Sequence, residues 1–192
     1  MKKKVFNYKP WIIVAVVVVI ILWFFGMYNG FVGASESVDG QWANVETQYQ
    51  RRVDLIPNLV ETVKGYADHE EGVFTEITKL RSQWQTATSN KNVGGQVQAA
   101  KGLEGALSKL LLVAEKYPDL KASANFLALQ DELAGTENKI AVERKRFNDL
   151  TRDYNKKIKK IPGKWIAGMF GFEEKEYFEA EEGSEEAPQV EF

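Results

Sequence analysis

The chain has 192 residues, with 25 lysines and arginines against 27 aspartates and glutamates, and no cysteine. The nearly balanced charge provides no global field that would attract nucleic acid, and the lack of cysteine excludes disulfides, thiol catalysis and Cys-ligated metal centres. Proline is sparse, with 5 residues, whereas leucine, alanine and glutamate are plentiful, a composition that favours helices.

An apolar run without any charged residue, WIIVAVVVVIILWFFGMY at 11–28, lies near the N-terminus. A spanning helix needs about 20 apolar residues, with roughly 17 as the lower limit. Four lysines precede the run, and no basic residue follows it before Arg51. Because positive charge beside a spanning segment stays in the cytoplasm, we expect a single-pass transmembrane anchor over 11–28. Residues 1–10 then form a short basic cytoplasmic segment, and the rest of the chain is extracytoplasmic.

A cleaved signal peptide is the alternative for this region. Lysines followed by an apolar stretch, with small residues at 32–34, are typical of a signal sequence and its cleavage site. However, the apolar stretch exceeds the roughly 7–15 residues of a signal-peptide core, and the candidate site lies well past the bulky aromatic residues at 23–25. These features favour an uncleaved signal anchor in the cell membrane.

After the anchor, apolar residues recur with a stagger of four and three along two long segments, as in a left-handed helical bundle or coiled coil. Two shorter apolar faces lie between them, within 73–87 and 93–114. Helices joined by short loops are antiparallel neighbours. The predicted fold class is therefore all-α, with one N-terminal transmembrane helix followed by an antiparallel four-helix up-and-down bundle over 36–161. Its first and fourth helices, at about 36–66 and 119–161, are long.

The predicted faces follow in chain order. The long faces are Val38, Trp42, Val45, Tyr49, Arg52, Ile56, Leu59, Val63 and Tyr66 in the first segment, and Phe126, Leu129, Leu133, Thr136, Ile140, Glu143, Phe147, Leu150, Tyr154, Lys157 and Ile161 in the last. The short faces are Val73, Ile77, Leu80, Trp84 and Ala87, and then Val93, Val97, Ala100, Leu107, Leu111 and Ala114.

The end of the fourth predicted helix combines positive charge with apolar residues. An even number of helices returns this end to the membrane, where basic side chains meet anionic headgroups and apolar rings meet the acyl boundary. Residues 162–172 are therefore a candidate membrane-surface segment. An alternative of equal weight is that they cap the core of the bundle. The candidate contact residues are Lys156, Lys157, Lys159, Lys160, Trp165, Ile166 and Phe170.

The C-terminal residues 173–192 are strongly acidic, with Lys175 as the only base. A segment of this composition has too little apolar surface to fold by itself. We expect a solvated, disordered tail.

Pro57 interrupts the helical pattern of the first long segment. A proline inside a helix releases the carbonyl four residues earlier, that of Val53, and kinks the helix. The neighbouring Asn58 either satisfies the released backbone groups or points outward as a recognition residue. A helix kink at Pro57 and Asn58 with repaired hydrogen bonds is the favoured interpretation.

Arg52 and Glu143 are charged residues on the otherwise apolar faces of the first and fourth predicted helices. In an antiparallel arrangement that brings Val38 near Ile161, they lie within about two turns of each other. We expect a partly buried ion pair that fixes the register of the two helices. The alternative is that both faces rotate and the two side chains extend to solvent.

His69 is the only histidine, and two glutamates follow it at a predicted helix start. A metal site needs several convergent ligands, so a surface histidine is the simpler interpretation. No serine is framed by Gly-x-Ser-x-Gly, and no glycine pattern matches a phosphate loop. The sequence therefore predicts no catalytic residue, no metal, no cofactor and no small-molecule substrate.

Six segments after the anchor form a recognisable series. They are RRVDLIPNLVETVKGY at 51–66, YPDLKA at 117–122, GTENKIAV at 135–142, Tyr154-Asn155, Gly171-Phe172 and YFEA at 177–180. Together they resemble the LemA family, in order, over nearly the whole chain after the anchor. The resemblance implies a bacterial-type, single-pass membrane protein with a helical bundle. It implies no reaction.

Three functions are compatible with these features. The first is a non-enzymatic, membrane-anchored helical scaffold or interaction protein of the bacterial cell envelope, which binds protein partners or copies of itself. The second is a protein that contacts or senses a lipid surface through the basic helix end and the segment from Trp165 to Phe172. An envelope enzyme is disfavoured because convergent titratable groups are missing. Nucleic acid is not expected as a partner, since the basic stretch lies on the domain predicted outside the cytoplasm.

Overall fold

The computed structural model describes residues 9–67 and 70–178, and within these ranges the protein is all-helical, without strands. The chain divides into two compact units, a terminal unit of residues 1–42 and 146–192 and a central unit of residues 43–145. The helices are α1 (Lys9–Lys64), α2 (Glu71–Ser89), α3 (Val93–Ala114), α4 (Pro118–Lys121), α5 (Ala124–Lys159) and α6 (Gly163–Phe170).

Helix α1 contains both the apolar run and the first predicted bundle helix, with no interruption between them. Gly30 and Gly33 are helical, although glycine inside a helix costs roughly 1 kcal/mol relative to alanine. Phe31 lies between them and is buried. Packing of this ring offsets the poor helix propensity of its neighbours.

Helices α2 and α3 form an antiparallel hairpin in the central unit. Lys109 pairs with Glu76 at 2.9 Å, and one turn further along α2 the side chain of Leu80 lies against Gly102. A Cβ at Gly102 would come within 2.5 Å of a Leu80 methyl carbon, so the glycine allows a close approach of the two helices. Asn92 caps α3 by accepting a hydrogen bond from a first-turn N–H at 3.0 Å.

The buried face of α3 includes three of the predicted positions, Ala100, Leu107 and Ala114, and extends to one side of them. Val93 is exposed, whereas Gln96 is buried and begins the core row. The Gln96 side-chain amide donates to Glu46 at 2.7 Å and to Thr88 at 3.0 Å. A glutamine does not count in a hydrophobic pattern, which is why the prediction leaves out this side of the buried face. The rest of the row is Ala99, Leu103, Ala106, Leu110 and Val113.

On the two long helices, burial follows the predicted faces except near their ends. The apolar predicted positions of 38–63 are buried, and Tyr66 is exposed because α1 ends before it. Towards the end of α5, Ile158 is buried in place of Lys157, and Ile161 is exposed. A straight helix repeats every 3.6 residues rather than every 3.5, so a strict heptad drifts off the buried face.

The fourth predicted helix is divided in the structure. Pro118 begins the single turn α4, where its missing N–H is not needed. Helix α5 then starts separately at Ala124, and the carbonyl of Ser123 accepts its first backbone hydrogen bond, from Leu127, at 3.0 Å. The long helix is therefore shorter than predicted at both ends.

Candidate functional site

Helix α6 packs against the end of the apolar run. The ring centroid of Phe170 lies 5.7 Å from that of Phe24 and 4.8 Å from that of Tyr28. The Phe172 ring lies 5.7 Å from Tyr28 and 5.6 Å from Phe31. Aromatic pairs in such tilted geometries contribute roughly 0.5–1.5 kcal/mol each beyond their buried area. These contacts hold the end of α6 beside the last turns of the run.

Two glycines permit this placement. A Cβ at Gly163 would lie 2.5 Å from the carbonyl oxygen of Lys157 and 3.0 Å from the Phe31 ring, so no larger residue fits without movement of the backbone. Gly171 has φ +73° and ends α6 in the left-handed conformation, which glycine adopts without a Cβ penalty. The chain then turns so that Phe172 contacts α1.

The seven candidate contact residues have different environments. Ile166 is buried, whereas Trp165 is 67% exposed and Met169 beside it is 70% exposed. Phe170 remains 47% exposed despite its ring contacts. All four lysines are exposed, and Lys159 pairs with a glutamate of the following segment at 2.7 Å. One side of α6 thus packs inward, and the other is apolar and uncovered.

A non-helical segment, residues 173–178 and called the strap, lies along α5. Asn155 Nδ2 donates to the carbonyl of Lys175 at 2.8 Å, and its Oδ1 accepts from the Lys175 N–H at 2.9 Å. Asn148 makes the same two bonds with Phe178, at 2.9 and 2.8 Å. Seven helical residues advance about 10.5 Å, and three extended residues advance about 10 Å. The two asparagines therefore match the repeat of the strap.

Further contacts attach the strap to α1 and α5. The Tyr154 hydroxyl donates to the Glu173 carbonyl at 2.8 Å, and Lys175 pairs with Asp39 and donates to the Ser35 carbonyl. Burial, and then the carboxylates of Asp39 and Glu173, raise the pKa of Tyr154. The first six residues of the predicted disordered tail, 173–178, are therefore packed against the helices as the strap. The remaining residues of the tail, 179–192, lie outside the described ranges. The strap was not predicted from the sequence. The available signal was the spacing of seven residues between Asn148 and Asn155 on α5.

Arg52 belongs to a polar cluster of the central unit, and its partners differ from the predicted one. Its Nη1 lies 3.5 Å from Glu104 Oε1 on α3 and also pairs with Glu137 on α5. Glu143, the predicted partner, lies almost two turns further along α5, so the predicted pair was wrong. The predicted register depends on helix ends that differ in the structure, and the nearer carboxylate of Glu104 comes from α3.

The same cluster contains a buried phenol. Tyr49 is 2% exposed, and its hydroxyl donates to Glu104 at 3.4 Å. Burial raises the pKa of Tyr49, and the nearby Glu104 carboxylate raises it further. The ring of Tyr49 lies 5.3 Å from that of Trp84, whose indole N–H donates to Gln50 at 3.1 Å. These hydrogen bonds connect α1 with α2 and α3, whereas the buried Arg52 Nε of the same cluster has no hydrogen-bond partner among the described residues.

Pro57 lies inside α1, which is helical on both sides of it. The side chain of Asn58 is exposed, and the Asn58 carbonyl accepts a hydrogen bond from the Thr62 hydroxyl at 2.7 Å. The kink and the recognition role at these positions remain predictions.

His69 lies outside the described residues. Within residues 9–67 and 70–178, no group of three or more histidine, aspartate or glutamate side chains is arranged to hold a metal ion. The terminal unit does contain a cavity of about 370 Å³ between α1 and α5, with three lysines in its wall. It is lined by Ala34, Ser37, Leu150, Asp153, Tyr154, Lys156, Lys157 and Lys160.

By length and composition, α1 is the single helix of the described part that is able to cross a membrane, and its most apolar window has a mean hydropathy of 2.7. The fold is thus that of an all-helical protein with an apolar N-terminal helix of membrane-anchor type. A family model described as the LemA family matches residues 41–192. The chain belongs to the LemA family.

The chain is also similar to curated proteins. Magnetosome protein MamQ 2 of Paramagnetospirillum magneticum is 28% identical over 175 residues, which cover 79% of this chain and 64% of that protein. Magnetosome protein MamQ of Magnetospirillum gryphiswaldense is 28% identical over 174 residues, with the same coverage. Protein LemA of Metamycoplasma hominis is 23% identical over 133 residues, covering 69% of this chain and 60% of that protein. The chain thus spans less than two thirds of the length of these relatives.

Proposed function

We propose that the protein is a non-enzymatic, membrane-anchored helical scaffold or interaction protein of the bacterial cell envelope. The observation that carries the proposal is α1, in which the apolar run continues as one helix into the residues of the bundle. The Tyr49 hydroxyl and the Arg52 guanidinium both contact Glu104, and this mutual pairing suits a structural role better than a catalytic one. Family membership, with relatives whose names denote no enzyme, also supports a non-catalytic role.

In this proposal the N-terminus is cytoplasmic, the anchor is uncleaved and the bundle is extracytoplasmic. The support is the charge asymmetry, since four lysines precede the apolar run and Arg51 is the first base after it. The bundle comprises α1, α2, α3 and α5 as antiparallel neighbours. Contacts of α1 with the other three helices support it, through Gln50–Trp84, Tyr49–Glu104 and Arg52–Glu137.

Photo-crosslinking in cells tests the proposal. A photo-reactive amino acid replaces Lys145, which is exposed on α5, and Ile140, which is fully buried on the same helix, is the matched control position. We expect position 145 to give a discrete product with a second copy or with one other membrane protein, and position 140 to give none. The absence of any product at 145 above the level at 140 would count against a scaffold that acts through this face.

A second candidate function, contact with the lipid surface through α6, is favoured by the ring packing of Phe170. Its partners Phe24 and Tyr28 lie in the last turns of the apolar run, which is at the boundary of the hydrocarbon if that run spans the bilayer. The exposed Trp165 and Met169 side chains belong to the same short helix, and an aromatic ring and an apolar chain of this kind favour the membrane interface.

Because the chain has no cysteine, a single introduced cysteine can carry a spin label that tests contact of α6 with lipid. A single nitroxide is attached at Met169→Cys, with Lys145→Cys as the control on an exposed part of α5, in the full chain in phosphatidylcholine bilayers. We expect the label at 169 to collide more with oxygen than with a water-soluble relaxing agent, and the label at 145 to show the reverse. Equal, water-like accessibility at both positions contradicts lipid contact by α6.

A further inference from the structure

The lysine-lined cavity of the terminal unit has no role in the functions discussed so far. Its volume of about 370 Å³ lies in the range of ligand pockets, roughly 300–1,000 Å³. The residues that line it include three lysines, Lys156, Lys157 and Lys160, and one acidic residue, Asp153. The lining is therefore strongly cationic.

Within the described parts of the chain, Lys156, Lys157 and Lys160 form no ion pair, unlike Lys159 beside them. Asp153 is the one carboxylate of the lining, and it lies 3.8 Å from Arg152, which pairs more closely with Asp149 at 3.0 Å. Three ammonium groups on adjacent turns repel one another, and an anion in the cavity removes that repulsion.

The position of the cavity along α1 suggests where the anion comes from. Ala34 lines the cavity and follows Tyr28 by six residues, or about 9 Å along the helix. The polar headgroup layer extends roughly 5–8 Å beyond the hydrocarbon on each side of a bilayer. Lysine side chains reach several ångströms from their backbone towards charged groups. The ammonium groups are therefore within reach of headgroup phosphates.

We propose that this cavity binds the phosphate of an anionic phospholipid headgroup, with the ammonium groups of Lys156, Lys157 and Lys160 as its ligands. Lysine binds phosphate as a compact charge with rotatable donors. The Ser37 and Tyr154 hydroxyls already donate to backbone carbonyls, so they shape the wall rather than bind the anion. The inference deepens the lipid-contact function and rests on the same placement of the apolar run in the bilayer.

Native mass spectrometry of the detergent-solubilised full chain tests the site, with phosphatidylglycerol as the probe and phosphatidylcholine as the neutral competitor. We expect one phosphatidylglycerol to be retained in preference to phosphatidylcholine. Each lysine near an anionic headgroup contributes roughly fivefold to affinity, so Lys157→Gln with Lys160→Gln should weaken retention by roughly 10- to 30-fold. The control, Lys139→Gln with Lys145→Gln, removes two exposed lysines of α5 outside the cavity and should retain the lipid.

Several outcomes would overturn the site. An equal loss of phosphatidylglycerol retention in both double variants would show general attraction by positive charge. Unchanged retention in the cavity variant would show that Lys157 and Lys160 do not bind the lipid. Displacement of the lipid by millimolar inorganic phosphate would show that the cavity recognises free phosphate, and preferential retention of phosphatidylethanolamine would exclude an anionic headgroup. The spin label at position 169 is measured in phosphatidylcholine alone. It therefore reports on insertion of α6 whether or not the cavity binds a headgroup.

Discussion

The side-chain amide of Asn155 bonds to both polar groups of the Lys175 backbone, at 2.8 Å to the carbonyl and 2.9 Å to the N–H. Neighbouring residues of an antiparallel sheet exchange two bonds in the same way, so the asparagine takes the place of a strand. Asn148 repeats this arrangement two turns earlier. Through these two asparagines, helix α5 thus binds the backbone of a segment of its own chain, and the ion pair of Lys159 with Glu174 adds a side-chain contact.

Asn155→Ala should release the strap. The substitution leaves a partly buried N–H and carbonyl of Lys175 without their partners, which costs about 1–3 kcal/mol. Hydrogen exchange of the full chain in detergent checks this, and we expect faster exchange at 173–178 with little change in α3. Asn138→Ala, at an exposed position of the same helix, is the control. Unaltered exchange of the strap in Asn155→Ala would mean that its other contacts suffice.

Arg52 should be coupled energetically to Glu104 and not to Glu143. The Arg52 and Glu104 side chains are only 13% and 18% exposed, so solvent screens their interaction less than that of a surface pair. Double-mutant cycles from urea unfolding, with Arg52→Met combined with Glu104→Gln or with Glu143→Gln, measure this. We expect a coupling of about 1–2 kcal/mol for the first pair and under about 0.5 kcal/mol for the second. A larger coupling energy for Arg52 with Glu143 than for Arg52 with Glu104 would support the pair predicted from the sequence.

Gly163→Ala should displace α6 from α1. The new methyl group would lie 2.5 Å from a backbone carbonyl, and overpacking of this kind costs about 1–3 kcal/mol. Gly168→Ala, in the same helix with nothing within 4 Å of a Cβ, should instead gain up to about 1 kcal/mol from helix propensity. The urea midpoint of the full chain in detergent compares the two variants. Equal midpoints would show that α6 adapts to a side chain at 163.

Tyr49 should make stability fall with pH in the alkaline range. Its pKa is raised in the folded protein, so above about pH 10 the unfolded state loses a proton that the folded state retains. The contribution of Tyr49 to the free energy of unfolding is complete below about pH 10. It then decreases by at most about 1.4 kcal/mol per pH unit, until the pH reaches the pKa of Tyr49 in the folded protein. In Tyr49→Phe this contribution is absent.

Urea unfolding between about pH 9 and pH 11 checks the alkaline effect. The difference in unfolding free energy between the wild type and Tyr49→Phe should shrink as the pH rises. Tyr66→Phe, at an exposed position, is the control for loss of a phenol. A difference that stays constant over this range would show that the Tyr49 hydroxyl titrates equally in both states.

The sequence by itself determined the helical class, the apolar anchor segment and most of the buried positions of the long helices. These properties are local, because the apolar run and the spacing of three and four depend on neighbouring residues in one helix. The same local pattern found only part of the buried face of α3, because buried Gln96 is satisfied by residues of α1 and α2. A polar residue whose partners lie on other helices cannot be assigned to a core from its own segment.

Only the tertiary structure decided which distant residues meet. The pairing of Arg52 with Glu104, the ring contacts of Phe170 with α1, and the strap held by Asn148 and Asn155 all join residues far apart in the chain. A difference of a few residues in where a helix begins or ends moves a partner by more than one turn, as it did for Glu143. Such contacts depend on register and close packing, which hydrophobic periodicity leaves undetermined because many registers bury the same apolar area.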